Sequence, residues 1–122
     1  MHVKIVFFFF LLALSSYVSA DCQPFGRSWG DKSKLTFPLP VICRQLSGEY
    51  PAGSASTRCH PSETQKNVKY YFRVQTLANT SKRLTVKKCM KGMNMTLENC
   101  ERGGTWDIES WRYVLQSLDG RC

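Results

Sequence analysis

The side chains suited to acid–base chemistry in this 122-residue sequence gather at one place, where Arg58, His60 and Glu63 lie within six positions. A histidine with a carboxylate and a guanidinium could cleave RNA by general acid–base catalysis. Only closeness in sequence joins them here, and a solvated loop accounts for them as well. A hydrolytic triad is not expected, because a serine or cysteine nucleophile needs an adjacent base and His60 is the only histidine beyond His2. No Cys-x2-Cys or His-x3-His pair offers the close ligands that zinc requires. The expectation is therefore a protein without catalytic residues, bound metal or cofactor.

Binding chemistry is better represented. The run Lys69-Tyr70-Tyr71-Phe72-Arg73 interleaves cations with aromatic rings, as a nucleic-acid or glycan platform would. Strand alternation explains most of it: Tyr70 and Phe72 belong to a core face, leaving Lys69, Tyr71 and Arg73 for a surface, and nucleic acid is not favoured as a partner. An exposed indole can stack on the apolar face of a sugar while polar neighbours bond its hydroxyls. Trp106 follows Gly103-Gly104, which permit a mobile loop, and is expected to be exposed; Trp111 alternates with Tyr113 and Leu115 as a core residue would. The expected glycan contacts are Trp106, Tyr71, Arg73 and Trp29. Two N-glycosylation sequons occur, Asn79-Thr80-Ser81 and Asn94-Met95-Thr96. Asn79 lies in a predicted turn and is the preferred acceptor; Asn94 falls on the solvent side of a predicted helix.

These residues belong to an exported chain. One lysine, the apolar run Ile5 to Leu14 and the small residues at Val18-Ser19-Ala20 form the three regions of a cleaved signal peptide over residues 1–20. No later stretch approaches the length a membrane span needs. The remainder, residues 21–122, has room for one domain and carries a formal charge of +7 once Lys4 is removed. Such a charge favours anionic partners. All six cysteines, Cys22, Cys43, Cys59, Cys89, Cys100 and Cys122, lie in that remainder. In a secreted domain this implies three disulfides, each contributing about 2–4 kcal/mol.

The elements that must position these groups follow from periodicity. Val68, Tyr70, Phe72, Val74 and Thr76 alternate with polar residues, which predicts a strand with one buried face. Ser110 to Leu118 predicts a second, terminal strand, and shorter extended pieces are expected at Leu35 to Phe37, Glu49-Tyr50 and Ser56 to His60. Pro40 opens a short helix to Ser47, with Gly48 at the position of a left-handed cap. After Thr85 as N-cap, Val86, Cys89, Met90, Met93, Leu97 and Cys100 share an arc of about 100° on a helical wheel. Eleven residues of helix hold Cys89 and Cys100 about 16 Å apart, beyond the roughly 7 Å that a disulfide tolerates. Pairings that join these two cysteines are excluded, and the others stay open. A long helix among strands with no repeated βα unit predicts an α+β fold with an antiparallel sheet.

The order of features also carries a family likeness: Cys22 with Gly26 and Trp29, Cys43-Arg-Gln-Leu-Ser-Gly-Glu-Tyr, Cys59, the strand Val68 to Val74, Cys89, Leu97-Glu98-Asn99-Cys100-Glu101-Arg102-Gly103-Gly104, and the tail Trp111-Arg112-Tyr113 with Asp119-Gly120-Arg121-Cys122. In these the chain resembles the small secreted fungal proteins similar to mushroom glycan-binding lectins, many of them candidate effectors of plant-pathogenic fungi. The resemblance implies a disulfide-stapled α/β sandwich with helices over an antiparallel sheet. It further implies glycan or host-surface binding without catalysis, and it allows a homodimer through the sheet. The chain departs from the family at Pro38 and Pro40, where a helix is usual, and at Ser117-Leu118-Asp119, where a turn like Asp-Pro-Asn is usual. Two other functions fit the same features: an effector or killer-toxin-like protein acting on a host protein or membrane, and a small ribonuclease using His60.

Overall fold

The computed structural model describes residues 19–24, 28–29 and 38–122. The expected signal peptide, apart from Ser19 and Ala20, lies outside them, as do Gly26 and the strand expected at Leu35 to Phe37. In chain order the elements are β1 (Ser19–Cys22), α1 (Leu39–Leu46), β2 (Gly48–Tyr50), β3 (Ala55–Pro61), β4 (Val68–Thr76), β5 (Lys82–Leu84), α2 (Val86–Asn99), β6 (Gly103–Ile108) and β7 (Trp111–Asp119). Five strands form an antiparallel sheet in the order β1-β6-β7-β4-β3, and β2 pairs with β5 beside it. The fold is α+β, as the periodicities predict.

Strand β4 is buried at every second position from Val68 to Thr76, and β7 at every second position from Trp111 to Ser117. Because the two are paired in register, Val74 with Tyr113 and Phe72 with Leu115, their apolar side chains form one continuous face. Both helices pack on that face. Helix α1 begins at Leu39 with Pro40 in its first turn, where the missing N–H has no helical acceptor to lose. Ser47, its C-cap, is extended, its N–H bonding the Cys43 carbonyl, and Gly48 follows at a positive φ of 134°, the glycine-favouring backbone expected there, already opening β2. Pairing of Gly48 with Leu84 draws the chain straight from helix into strand.

Helix α2 is capped as expected, the Thr85 hydroxyl accepting the Lys88 N–H at 3.2 Å. Its buried stripe runs through Cys89, Gly92, Met93, Thr96 and Leu97. Gly92, an unfavourable residue for a helix interior by about 1 kcal/mol, has a packing reason. A Cβ there would stand 2.3–2.5 Å from ring atoms of Tyr113, so the glycine lets α2 approach β7 closely.

Three disulfides fix the layers: Cys22–Cys100, Cys43–Cys89 and Cys59–Cys122, with Cα separations of 5.2, 5.6 and 5.7 Å. Neither cysteine of the α2 region bonds the other, in accord with the helical spacing. Trp29 closes one end of the core. It is buried, its indole N–H donates to the Cys100 carbonyl, and its own carbonyl accepts from the Tyr70 hydroxyl at 2.9 Å.

The sequence expectation fails at Gly103-Gly104, which begin strand β6 instead of a mobile loop. A Cβ on Gly104 would meet the Asp21 carbonyl oxygen at 2.6 Å and the Cys100 sulfur at 2.8 Å, while Gly103 holds φ 106°. The glycines serve close approach between strands and disulfide, and not mobility.

Two outcomes are expected. Gly92→Ala should lower unfolding free energy by about 1–3 kcal/mol through overpacking despite its better helix propensity, as measured by urea denaturation. Burial, with smaller contributions from Glu109 and Tyr50, pushes the Tyr113 phenol well above its usual range. The neutral phenol is thus favoured in the folded state, so its contribution is intact below about pH 10 and is lost as pH rises beyond that, where the unfolded chain ionises. In thermal unfolding the wild type should lose stability relative to Tyr113→Phe as pH rises above about 10.

Candidate functional site

Among the described residues the helices cover one face of the sheet only, and alternation decides which side chains occupy the other. From β4 these are Lys69, Tyr71, Arg73 and Gln75, and from β7 Arg112, Val114, Gln116 and Leu118, all half-buried. Register places them in rows across the strands. Asp107, Arg112 and Gln75 form one row, Asp21, Thr105, Val114 and Arg73 the next, and Gln116 with Tyr71 the third.

The first two rows enclose a shallow polar cleft of about 430 Å³ lined by Asp21, Arg73, Thr105, Asp107, Arg112 and Val114. Arg112 grips Asp107 with two parallel hydrogen bonds, Nε to Oδ1 at 2.9 Å and Nη2 to Oδ2 at 3.0 Å. Hydrogen bonding to Asp107, and then its charge, raises the pKa of the Arg112 guanidinium. Side-chain exposures of 40% for Arg112 and 24% for Asp107 leave the pair reachable, so its contribution to stability is small and its outer lone pairs and N–H groups face the cleft. Arg73 donates to the neutral Gln75 amide oxygen at 3.1 Å. Two guanidinium groups and two carboxylates line the cleft, so its side chains balance in charge within a strongly basic chain. Planar donors and acceptors in fixed array, with a hydroxyl at Thr105 and the Tyr71 ring in the adjoining row, can bond a polyhydroxylated ligand and cover one of its apolar faces.

Of the four expected contact residues, Tyr71 and Arg73 meet on this open face. Trp29 and Trp106 do not. Trp29 is 1% exposed and holds the Cys100 carbonyl. Trp106 pairs with Tyr113 on the helix side of the sheet, half-buried, with its indole nitrogen fully covered. Trp106 was expected in a loop, and the strand through Gly104 turns it inward. Arg112 is not among the expected contacts, although its place between the buried Trp111 and Tyr113 marks it as facing the other side of the sheet. Asp107 and Thr105 carried no sequence signal, because β6 itself was read as a loop.

His60 and Glu63 line a separate crevice of about 230 Å³ with Pro38, Val41, Ile42 and Gln45. Arg58 turns its guanidinium back to the Thr57 carbonyl at 2.7 Å. Among the described residues, every cysteine is disulfide-bonded and no group of three His, Cys, Asp or Glu side chains is placed to hold a metal. No described helix is long and apolar enough to cross a membrane.

The fold defines a small α+β protein stapled by three disulfides, whose sheet carries a polar face that no other described element covers. Comparison with protein-family models and with curated proteins finds no match.

Asn79 is exposed in the bend after β4, whereas Asn94 is half-buried on α2. When the chain is made in a eukaryotic secretory host, Asn79→Gln should remove the main glycan, seen as loss of an endoglycosidase-dependent mass shift; Asn94→Gln should leave that shift in place.

Proposed function

We propose that the protein is a secreted, lectin-like fungal protein that binds an oligosaccharide without altering it and acts at a host surface. The observation that carries this reading is the charge-balanced polar cleft on the open sheet face, with Tyr71 in the adjoining row. Export is supported by the leader-like residues 1–20 and by three disulfides, which persist in oxidising compartments. Host-directed use rests on the resemblance of the cysteine frame to the mushroom-lectin-like group.

The four charged side chains of the cleft balance, which favours the hydroxyls of a neutral sugar over a polyanion, and cleavage after Ala20 adds only the α-ammonium of Asp21 beside them. The Arg112–Asp107 pair, with Arg73 and Asp21 in the next row, offers donors and acceptors to vicinal hydroxyls. The homodimer that the resemblance allows would compete for this same face. Its rows are charged and amide-bearing where an obligate interface is more apolar, so the proposal assigns the face to ligand and the free protein to a monomer.

The test is a glycan array with the processed protein, followed by titration of any sugar retained. Binding is expected to be nearly independent of salt. Tyr71→Ala and Arg73→Gln should each weaken it about tenfold or more, the scale of a lost hydrogen bond to a charged group or of a lost stacking surface, with the circular dichroism spectrum unchanged. Retention of no sugar by correctly folded protein, or full affinity in both variants, overturns the proposal. RNA cleavage by the wild type that is lost in His60→Ala would favour the ribonuclease instead.

A further inference from the structure

Among the described residues, one group of exposed cations lies on the helices, away from the cleft. Lys87, Lys88 and Lys91 are exposed on α2, and Arg44 is exposed on α1 beside Val41, one of two large apolar side chains among the described residues that stand in solvent, at 44%. The Cys43–Cys89 bridge holds the helices together at a Cα separation of 5.6 Å. Arg44 follows Cys43 and Lys88 precedes Cys89, so the bridge brings together the helix segments that carry these two exposed cations. Arg83 pairs with Glu49 and Arg112 with Asp107, but none of the three lysines has a carboxylate partner among the described residues.

Their placement is unfavourable for the helix that bears them. All three lie in the first two turns of α2, where the macrodipole repels cations, and no acidic residue occupies the first turn. Lys91 also sits three and four positions from Lys88 and Lys87, the spacings at which like charges repel. The one acid of the helix, Glu98, falls in the last turn, so the charges run opposite to the order that would stabilise it. Neither capping nor packing requires this arrangement, since Thr85 caps the helix and the buried stripe anchors it.

We propose that this helix surface docks on an anionic phospholipid bilayer, separately from the sheet face that takes the sugar. Lysines are flexible point charges suited to a mobile field of headgroups, in contrast to the rigid forks of arginine that suit a defined anion. Neither helix carries an aromatic residue, so the surface lacks the stacking platform that single-stranded nucleic acid uses. Exposed Val41 beside Arg44 adds an apolar contact that a membrane interface rewards. The charge-balanced cleft on the other side contributes no comparable attraction, which leaves it turned outward when the helices face the membrane.

Co-sedimentation of the processed protein with lipid vesicles tests the proposal. Binding is expected to phosphatidylcholine vesicles containing about 30% phosphatidylserine, not to pure phosphatidylcholine, and to fall steeply as salt is raised. The triple variant K87Q/K88Q/K91Q should lose about 100-fold in partitioning, while its thermal midpoint holds or rises because the dipole repulsion is relieved. If the triple variant is not recovered folded, K91Q alone should lose about fivefold. Arg73→Gln should retain full vesicle binding, which keeps this surface distinct from the sugar site. Equal binding to neutral vesicles, no binding to anionic ones, or undiminished binding by folded lysine variants overturns the proposal. So does capture by a soluble sulfated polysaccharide without any vesicle binding.

Discussion

The close seating of α2 on β7 is the constraint from which the rest of the architecture follows. Gly92 removes the one side chain that would stand between the helix backbone and the Tyr113 ring, and disulfides grip the chain at Cys89 and just past the helix at Cys100. Buried area alone is a modest source of stability in a chain of this size. Joining the helix covalently to α1 and to β1 restricts the unfolded ensemble and tolerates a charge pattern on α2 that an isolated helix would not.

With both helices committed to one face, the sheet has a dry side and a wet side. The dry side holds the large aromatics: Trp29 over Tyr70, with ring centroids 6.2 Å apart, and Tyr50 edge-on to Trp111 at 5.2 Å. The wet side holds the guanidinium and carboxylate groups. Functional aromatic character was sought in the tryptophans, yet the described tryptophans all point into or along the dry layer, and the ring left for a ligand is that of Tyr71. Large indoles are worth most where they are buried, and a small domain with little other apolar volume spends them there.

Much of the fold was legible in local pattern. Val68 to Thr76 declares its buried face by strict alternation, and the wheel of α2 both orients that helix and forbids a bridge between Cys89 and Cys100. The half-legible site follows from the same rule: Tyr71, Arg73 and Arg112 are the residues between buried ones. Strands β1, β5 and β6 stayed hidden, and β6 matters most for the site. Gly103-Gly104 has the composition of a loop, and nothing nearby in sequence shows that the Asp21 carbonyl and the Cys100 sulfur will lie where side chains would otherwise stand.

The sequence by itself therefore determined the periodic elements, the side each presents to a core and the forbidden cysteine pair, because these depend on residues a few positions apart. Only the tertiary structure decided that both helices share one face, that Asp107 lies across from Arg112, and that Trp106 turns inward. Those outcomes depend on strand order and on contacts between Asp21 and Gly104 or Cys22 and Cys100, residues about 80 positions apart, for which local periodicity carries no information.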